Sequence, residues 1–139
     1  MELIRILYVD DYCAETLEDL FRKRFKNAEF EWVVTNQDAL NRLKSRGYDV
    51  VIYDMGMEVR LDTFAVTRKI KELKPSCILL ATSVAGKYIP KELPEHIDGT
   101  IRREPLWQGY AGDIQRTLSK YGLKVVLVSP NEPESTEKD

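Results

Sequence analysis

The chain is poor in the residues and runs that mark many protein classes. It has two cysteines, Cys13 and Cys77, and one histidine, His96, in 139 residues. Two cysteines make no disulfide framework. They fit reduced thiols in a cytoplasm, with Cys77 packed in a strand. His96 follows Pro94 and Glu95 in a stretch that reads as loop, so it is expected to be exposed and neither a ligand nor a relay. No apolar run approaches the roughly 18 residues of a membrane span. The first residues, MELIRILYVDD, lack a basic region followed by a long apolar segment and a cleavage site, so they do not read as a signal peptide. Net charge is −2, which leaves no electrostatic case for nucleic-acid binding. No internal repeat, P-loop or G-x-G-x-x-G is present. What remains is 43% hydrophobic and 32% charged, ordinary values for one soluble domain with a full core.

The pattern centres on YDVVIYDMGM, residues 48–57. Val50 to Tyr53 form a short apolar, mostly β-branched run that fits a strand buried on both faces of a parallel sheet. Asp54 ends it, either as a turn residue or as a chemical group. Before it come a strand over Leu3–Val9 ending in Asp10-Asp11, an amphipathic helix over Ala14–Phe25 and a strand over Glu29–Thr35. Asn36 then N-caps a helix that Gly47 terminates. After the central strand come a loop, a helix over Thr63–Leu73 and a buried strand over Cys77–Val84. Pro90 and Pro94 limit any helix between residues 86 and 97 to about one turn. A short strand, Gly99–Arg103, precedes the Glu104-Pro105 turn and a helix over Trp107–Tyr121 that Gly122 caps. Residues 123–129 read as an extra C-terminal strand and residues 130–139 as a disordered polar tail.

Alternating strands and helices imply an α/β, doubly wound parallel sheet with right-handed crossovers. In a flavodoxin-like order, 2-1-3-4-5, the first and third strands are neighbours at the switch point where ligands bind. Asp10, Asp11 and Asp54 would then converge on one pocket. Two carboxylates about 4 Å apart repel by roughly 4 kcal/mol at an effective dielectric near 20. Such a cluster asks for a cation, and carboxylate oxygens with room for water suit Mg²⁺. The plainer alternative is that Asp10-Asp11 starts the loop and caps the helix.

Over about residues 3–121 the sequence resembles the CheY-like response-regulator receiver domain. The matching pieces are ILYVDD at 6–11, NQDAL at 36–40, YDVVIYDMGM at 48–57, ILLATS at 78–83 and the turn at Pro105. The resemblance implies that Asp54 accepts a phosphoryl group from a histidine kinase or phosphotransfer protein. It also implies that Asp10, Asp11, Asp54 and the Gly56 carbonyl hold Mg²⁺. Thr82 matches the switch hydroxyl that would bond a phosphoryl oxygen, and Ser83 the small residue beside it. Output would pass to a downstream protein, and enzyme action would extend at most to autophosphorylation and self-dephosphorylation.

The sequence departs from the family where a lysine normally precedes the fifth-strand proline. That position holds Glu104. Arg103 supplies the cation if the strand shifts by one or bulges, or else Arg102 and Arg103 are solvated edge charges. Thr100 and Ile101 stand where the family has its aromatic switch residue, and Glu58 replaces the proline after D-x-x-M. The helix after the fourth strand reads as short or missing. Trp107, just after the turn, is expected to pack the last helix and to report on the site. The extra strand would support self-association as a homodimer, or partner docking. Two functions therefore stand: a phosphorylated, Mg²⁺-dependent cytoplasmic receiver, and a pseudo-receiver that binds proteins without phosphorylation. A flavodoxin-like enzyme rests on topology alone, and fold does not fix function.

Overall fold

Apolar runs of the sequence become the central strands, and amphipathic stretches become helices laid across them. The computed structural model describes residues 2–11, 15–57, 64–84, 89–103 and 109–128, with residues 15–17, 84, 102 and 103 described by backbone alone. The strands are β1 (Ile4–Val9), β2 (Ala28–Val33), β3 (Val50–Asp54), β4 (Ile78–Val84) and β5 (Gly99–Arg103). The helices are α1 (Glu15–Arg24), α2 (Asn36–Ser45), α3 (Ala65–Leu73) and α4 (Tyr110–Ser119), and a 3-10 turn spans Met55–Met57. The strands form one sheet in the order β2-β1-β3-β4-β5, and every pairing is parallel.

Strand alternation sorts the core into two layers. Ile6 and Tyr8 of β1, Ile52 of β3, Leu80 of β4 and Ile101 of β5 point to one face, where Phe21 of α1 and Tyr110, Ile114 and Leu118 of α4 cover them. Leu7, Val9, Val51, Tyr53, Leu79 and Ala81 point to the other, under Ala39 and Leu43 of α2 and Ile70 of α3. Among the described residues two helices lie on each face, which makes the sheet doubly wound and flavodoxin-like. Arg5 interrupts β1 without breaking it. Its N–H donates to Asp49 Oδ2 at 2.8 Å, and its carbonyl accepts from Asp49 N at 2.9 Å.

Several expected boundaries move. The N-cap of α2 is Thr35, whose Oγ1 accepts from Asp38 N at 3.1 Å. Asn36 is already helical, and its Oδ1 accepts from the Tyr53 hydroxyl at 2.6 Å. The helix ends at Arg46, whose N–H reaches the Arg42 carbonyl, so Gly47 follows the cap instead of forming it. Gly122 does reverse the chain, with φ 81 in the left-handed region that glycine tolerates best. Among the described residues, positions 89–98 carry no helix.

The extra C-terminal strand does not join the sheet. Leu127 makes one isolated antiparallel bridge with Phe25, and Lys26 N and Val128 N complete the contact through the Val126 and Arg24 carbonyls. The reason lies in Asn27, buried at the α1–β2 connection. Its Nδ2 donates to Lys124 O at 2.8 Å and its Oδ1 accepts from Val126 N at 2.8 Å, so a side chain satisfies what a strand would otherwise pair. Val125 drops into the core beneath. The tail from residue 129 lies outside the described residues.

Candidate functional site

Parallel pairing carries three strand ends to one edge of the sheet. Val9 pairs with Tyr53, so Asp10 and Asp54 emerge side by side from β1 and β3. Asp54 in turn pairs with Thr82 of β4. The Asp10 N–H donates to the Val33 carbonyl of β2 at 3.0 Å, which fixes the point where β1 ends.

Asp10, Asp11 and Asp54 each bring a carboxylate oxygen within 4.8 Å of the others. Asp10 is 0% exposed and Asp54 8%, while Asp11 faces solvent. Burying two carboxylates this close is costly unless a cation or hydrogen bonds compensate. Asp54 Oδ1 accepts from Gly56 N at 3.0 Å across the 3-10 turn. The donor set is all oxygen, anionic and half open to solvent, and it fits a hard divalent cation such as Mg²⁺.

The rest of the site is hydroxyl and small. Thr82 is 0% exposed and Ser83 1%. Thr82 Oγ1 lies 3.3 Å from the Tyr110 hydroxyl of α4, and that hydroxyl lies 2.9 Å from the Tyr8 hydroxyl of β1. Arg103 is the last residue of β5 and its backbone pairs with Val84. The side chain of Arg103, Glu104, Pro105 and Trp107 lie outside the described residues, as does Glu58.

Among the described residues, Trp32 is a tryptophan that the fold sets against the acids. Its Nε1–H donates to the Asp10 carbonyl at 3.2 Å, and its ring stacks on Tyr8 at 4.5 Å. The cue available in the sequence is position: Trp32 falls in a strand beside an acid-ended one. Tyr110 had the weaker cue of a phenol on an otherwise apolar helix face. His96 is not the exposed loop residue expected. It is partly buried, with Nε2 3.0 Å from Thr67 Oγ1 and its ring edge-on to Phe64. The loop that follows Pro94 packs it onto α3.

No protein-family model matches the sequence, and no curated protein does. Solved structures do match. A CheY-like receiver domain from Methylobacillus flagellatus superposes with a TM-score of 0.65 at 25% identity, over 84% of this chain and 99% of that one. This is the fold of the CheY-like receiver domain. The signal receiver domain of an HD domain-containing protein from Pseudomonas fluorescens gives 0.67 at 20% identity, over 87% and 98% of the two chains. The response regulator TrrA from Thermotoga maritima, solved with Mg²⁺ and beryllofluoride, gives 0.60 at 20%, over 82% and 98%. Within the receiver fold, the acids of this chain stand at the strand ends of the topological switch point. Among the described residues no helix is long and apolar enough to cross a membrane.

Proposed function

We propose that the protein is a two-component signalling receiver that accepts a phosphoryl group on Asp54 and signals through protein contacts. The observation that carries this reading is the meeting of Asp10, Asp11 and Asp54 within 4.8 Å, with Thr82 paired in register beside Asp54. An Asp54 carboxylate oxygen attacks the phosphorus of a phosphohistidine or small phosphodonor in line. The P–N bond breaks, its electrons leave with the nitrogen, which takes up a proton, and an acyl phosphate remains on Asp54. Phosphoryl transfer asks mainly for positioning and charge neutralisation. Asp10, Asp11, Asp54 and the Gly56 carbonyl would hold Mg²⁺, which supplies shielding between the carboxylate and the anionic donor. The Thr82 hydroxyl would donate to a phosphoryl oxygen, and Ser83 leaves room for the donor. Arg103 is the cation proposed in place of the family's lysine. The partners are a histidine kinase or phosphotransfer protein upstream and a protein effector downstream, and the compartment is the cytoplasm.

Intact-protein mass spectrometry after incubation with phosphoramidate and Mg²⁺ tests this. The expected result is one phosphoryl adduct that requires Mg²⁺ and disappears in Asp54→Asn. A second reading, a pseudo-receiver that binds partners without phosphorylation, is favoured by Glu104 before Pro105 and by Thr100 and Ile101 on β5 in the region where the family has an aromatic residue. Absence of both the adduct and beryllofluoride binding would select it.

A further inference from the structure

We propose that Tyr110 is a positioning residue that holds the Thr82 hydroxyl ready for the phosphoryl group. This rests on the receiver reading above. Tyr8, Tyr110 and Thr82 are all 0% exposed. Their hydroxyls form a chain from β1 through α4 to β4, at 2.9 Å and then 3.3 Å. Buried hydroxyls need partners, but these three need not have met one another. They meet because Tyr8, Ile52 and Leu80 point to the α1–α4 face, each two residues before Asp10, Asp54 and Thr82 respectively. The Tyr8 ring therefore sits about 7 Å behind the acidic cluster along the strands.

The polarity of the chain follows from acidity. A phenol is a better donor than an aliphatic alcohol, and an aliphatic alcohol is the better acceptor. Tyr110 thus donates to Thr82 Oγ1, and Thr82 keeps its own proton for an oxygen on the Asp54 side. A threonine hydroxyl otherwise rotates to suit any acceptor. Fixing it in advance removes part of the ordering cost of binding. The aromatic group beside Thr82 comes from helix α4. In β5 the residue paired with Thr82 is Ile101, buried and without a hydroxyl. The 3.3 Å separation is that of a weak bond, which leaves Thr82 free to shorten its contact with an incoming oxygen.

Beryllofluoride binding in the presence of Mg²⁺, followed by ¹⁹F NMR, tests the role in wild type, Tyr110→Phe, Thr82→Ala, Thr82→Ser and the double variants with Tyr110→Phe. Tyr110→Phe should weaken binding roughly three- to tenfold, the worth of one hydrogen bond. The same change should have no effect in the Thr82→Ala background and should recover its effect in Thr82→Ser. An equal loss in the Thr82→Ala background means that Tyr110 only packs the core and overturns the role. So does unchanged binding by Tyr110→Phe. The Thr82 γ-methyl resonance gives a readout without beryllofluoride: one rotamer in wild type and averaging in Tyr110→Phe are expected, and averaging in both overturns the role. Failure of wild type itself to bind overturns the receiver reading, and the role in capture falls with it.

Discussion

Glu31 shows what a single side chain does on this surface. It lies on β2 with 16% of its side chain exposed, and it gathers Arg42, Arg46 and the Tyr48 hydroxyl. Burial alone would raise its carboxyl. The Tyr48 hydrogen bond, then the hydrogen bond and charge of Arg46 and the hydrogen bond of Arg42, bring it below the usual range instead. Burial and the same carboxylate push the Tyr48 phenol up to about 12. A carboxylate whose folded pKa is depressed contributes stability above its unfolded pKa and loses it as pH falls through the folded value. Glu31→Gln should therefore cost about 1–2 kcal/mol at pH 7, since two of its partners are half exposed and screened. The gap between wild type and variant should close as pH drops below the ordinary carboxylate range. Urea unfolding at pH 7 and near pH 3 checks this, and a gap that stays constant with pH would mean that the cluster acts through packing alone.

Elements differ in how far the sequence announces them. The core of β3 was legible because a short apolar run closed by an acid has few other uses, and the bounds of β5 because Gly99 and the Glu104-Pro105 turn punctuate it. The acid cluster was legible for the same reason, since strand ends in a parallel sheet have a known destination. The extra strand misled because an apolar run such as LKVVLV says that the backbone is extended and buried, not what it pairs with. Its partners are the Asn27 amide and the backbone of residues 24–26, about a hundred residues earlier. The Tyr110–Thr82 contact was hidden likewise: a tyrosine at a core position of a helix looks the same whether its hydroxyl meets water or a functional group. Asn27→Ala removes two bonds to the C-terminal segment and a 3.2 Å bond to the Glu2 carbonyl, and it leaves the Lys124 carbonyl and the Val126 N–H without that partner. A loss of about 2–4 kcal/mol is expected. Hydrogen exchange should show it first at Val126, where local opening of the segment precedes global unfolding. Uniform loss of protection across the sheet would instead tie the segment to the global unit.

On the scale of the whole molecule, the fold accepts an electrostatic penalty at one edge of its sheet. Asp10 and Asp54 are buried and Asp11 stands beside them, all within 4.8 Å. Where neither a cation nor hydrogen bonds compensate it, repulsion between such carboxylates opposes folding and relaxes when the chain unfolds and the charges separate. Two effects of opposite sign follow for Asp11→Asn. Removing one charge should raise the metal-free melting temperature. The same change weakens Mg²⁺ binding, so Mg²⁺ should stabilise the variant less than wild type. Ligand linkage gives wild type about 2.7 kcal/mol at a hundredfold excess over Kd. Trp32, bonded to the Asp10 carbonyl, should report the binding as a change in fluorescence that Trp32→Phe diminishes. Thermal scans with and without millimolar Mg²⁺ decide the matter. If both proteins gain equally, Mg²⁺ acts elsewhere on the surface. If Asp11→Asn is less stable without metal, Asp11 is a structural cap and the repulsion between the acids is already relieved by the protein. Only the crossing of the two curves, the variant more stable without Mg²⁺ and wild type more stabilised with it, fits an edge of the sheet kept acidic to hold a cation.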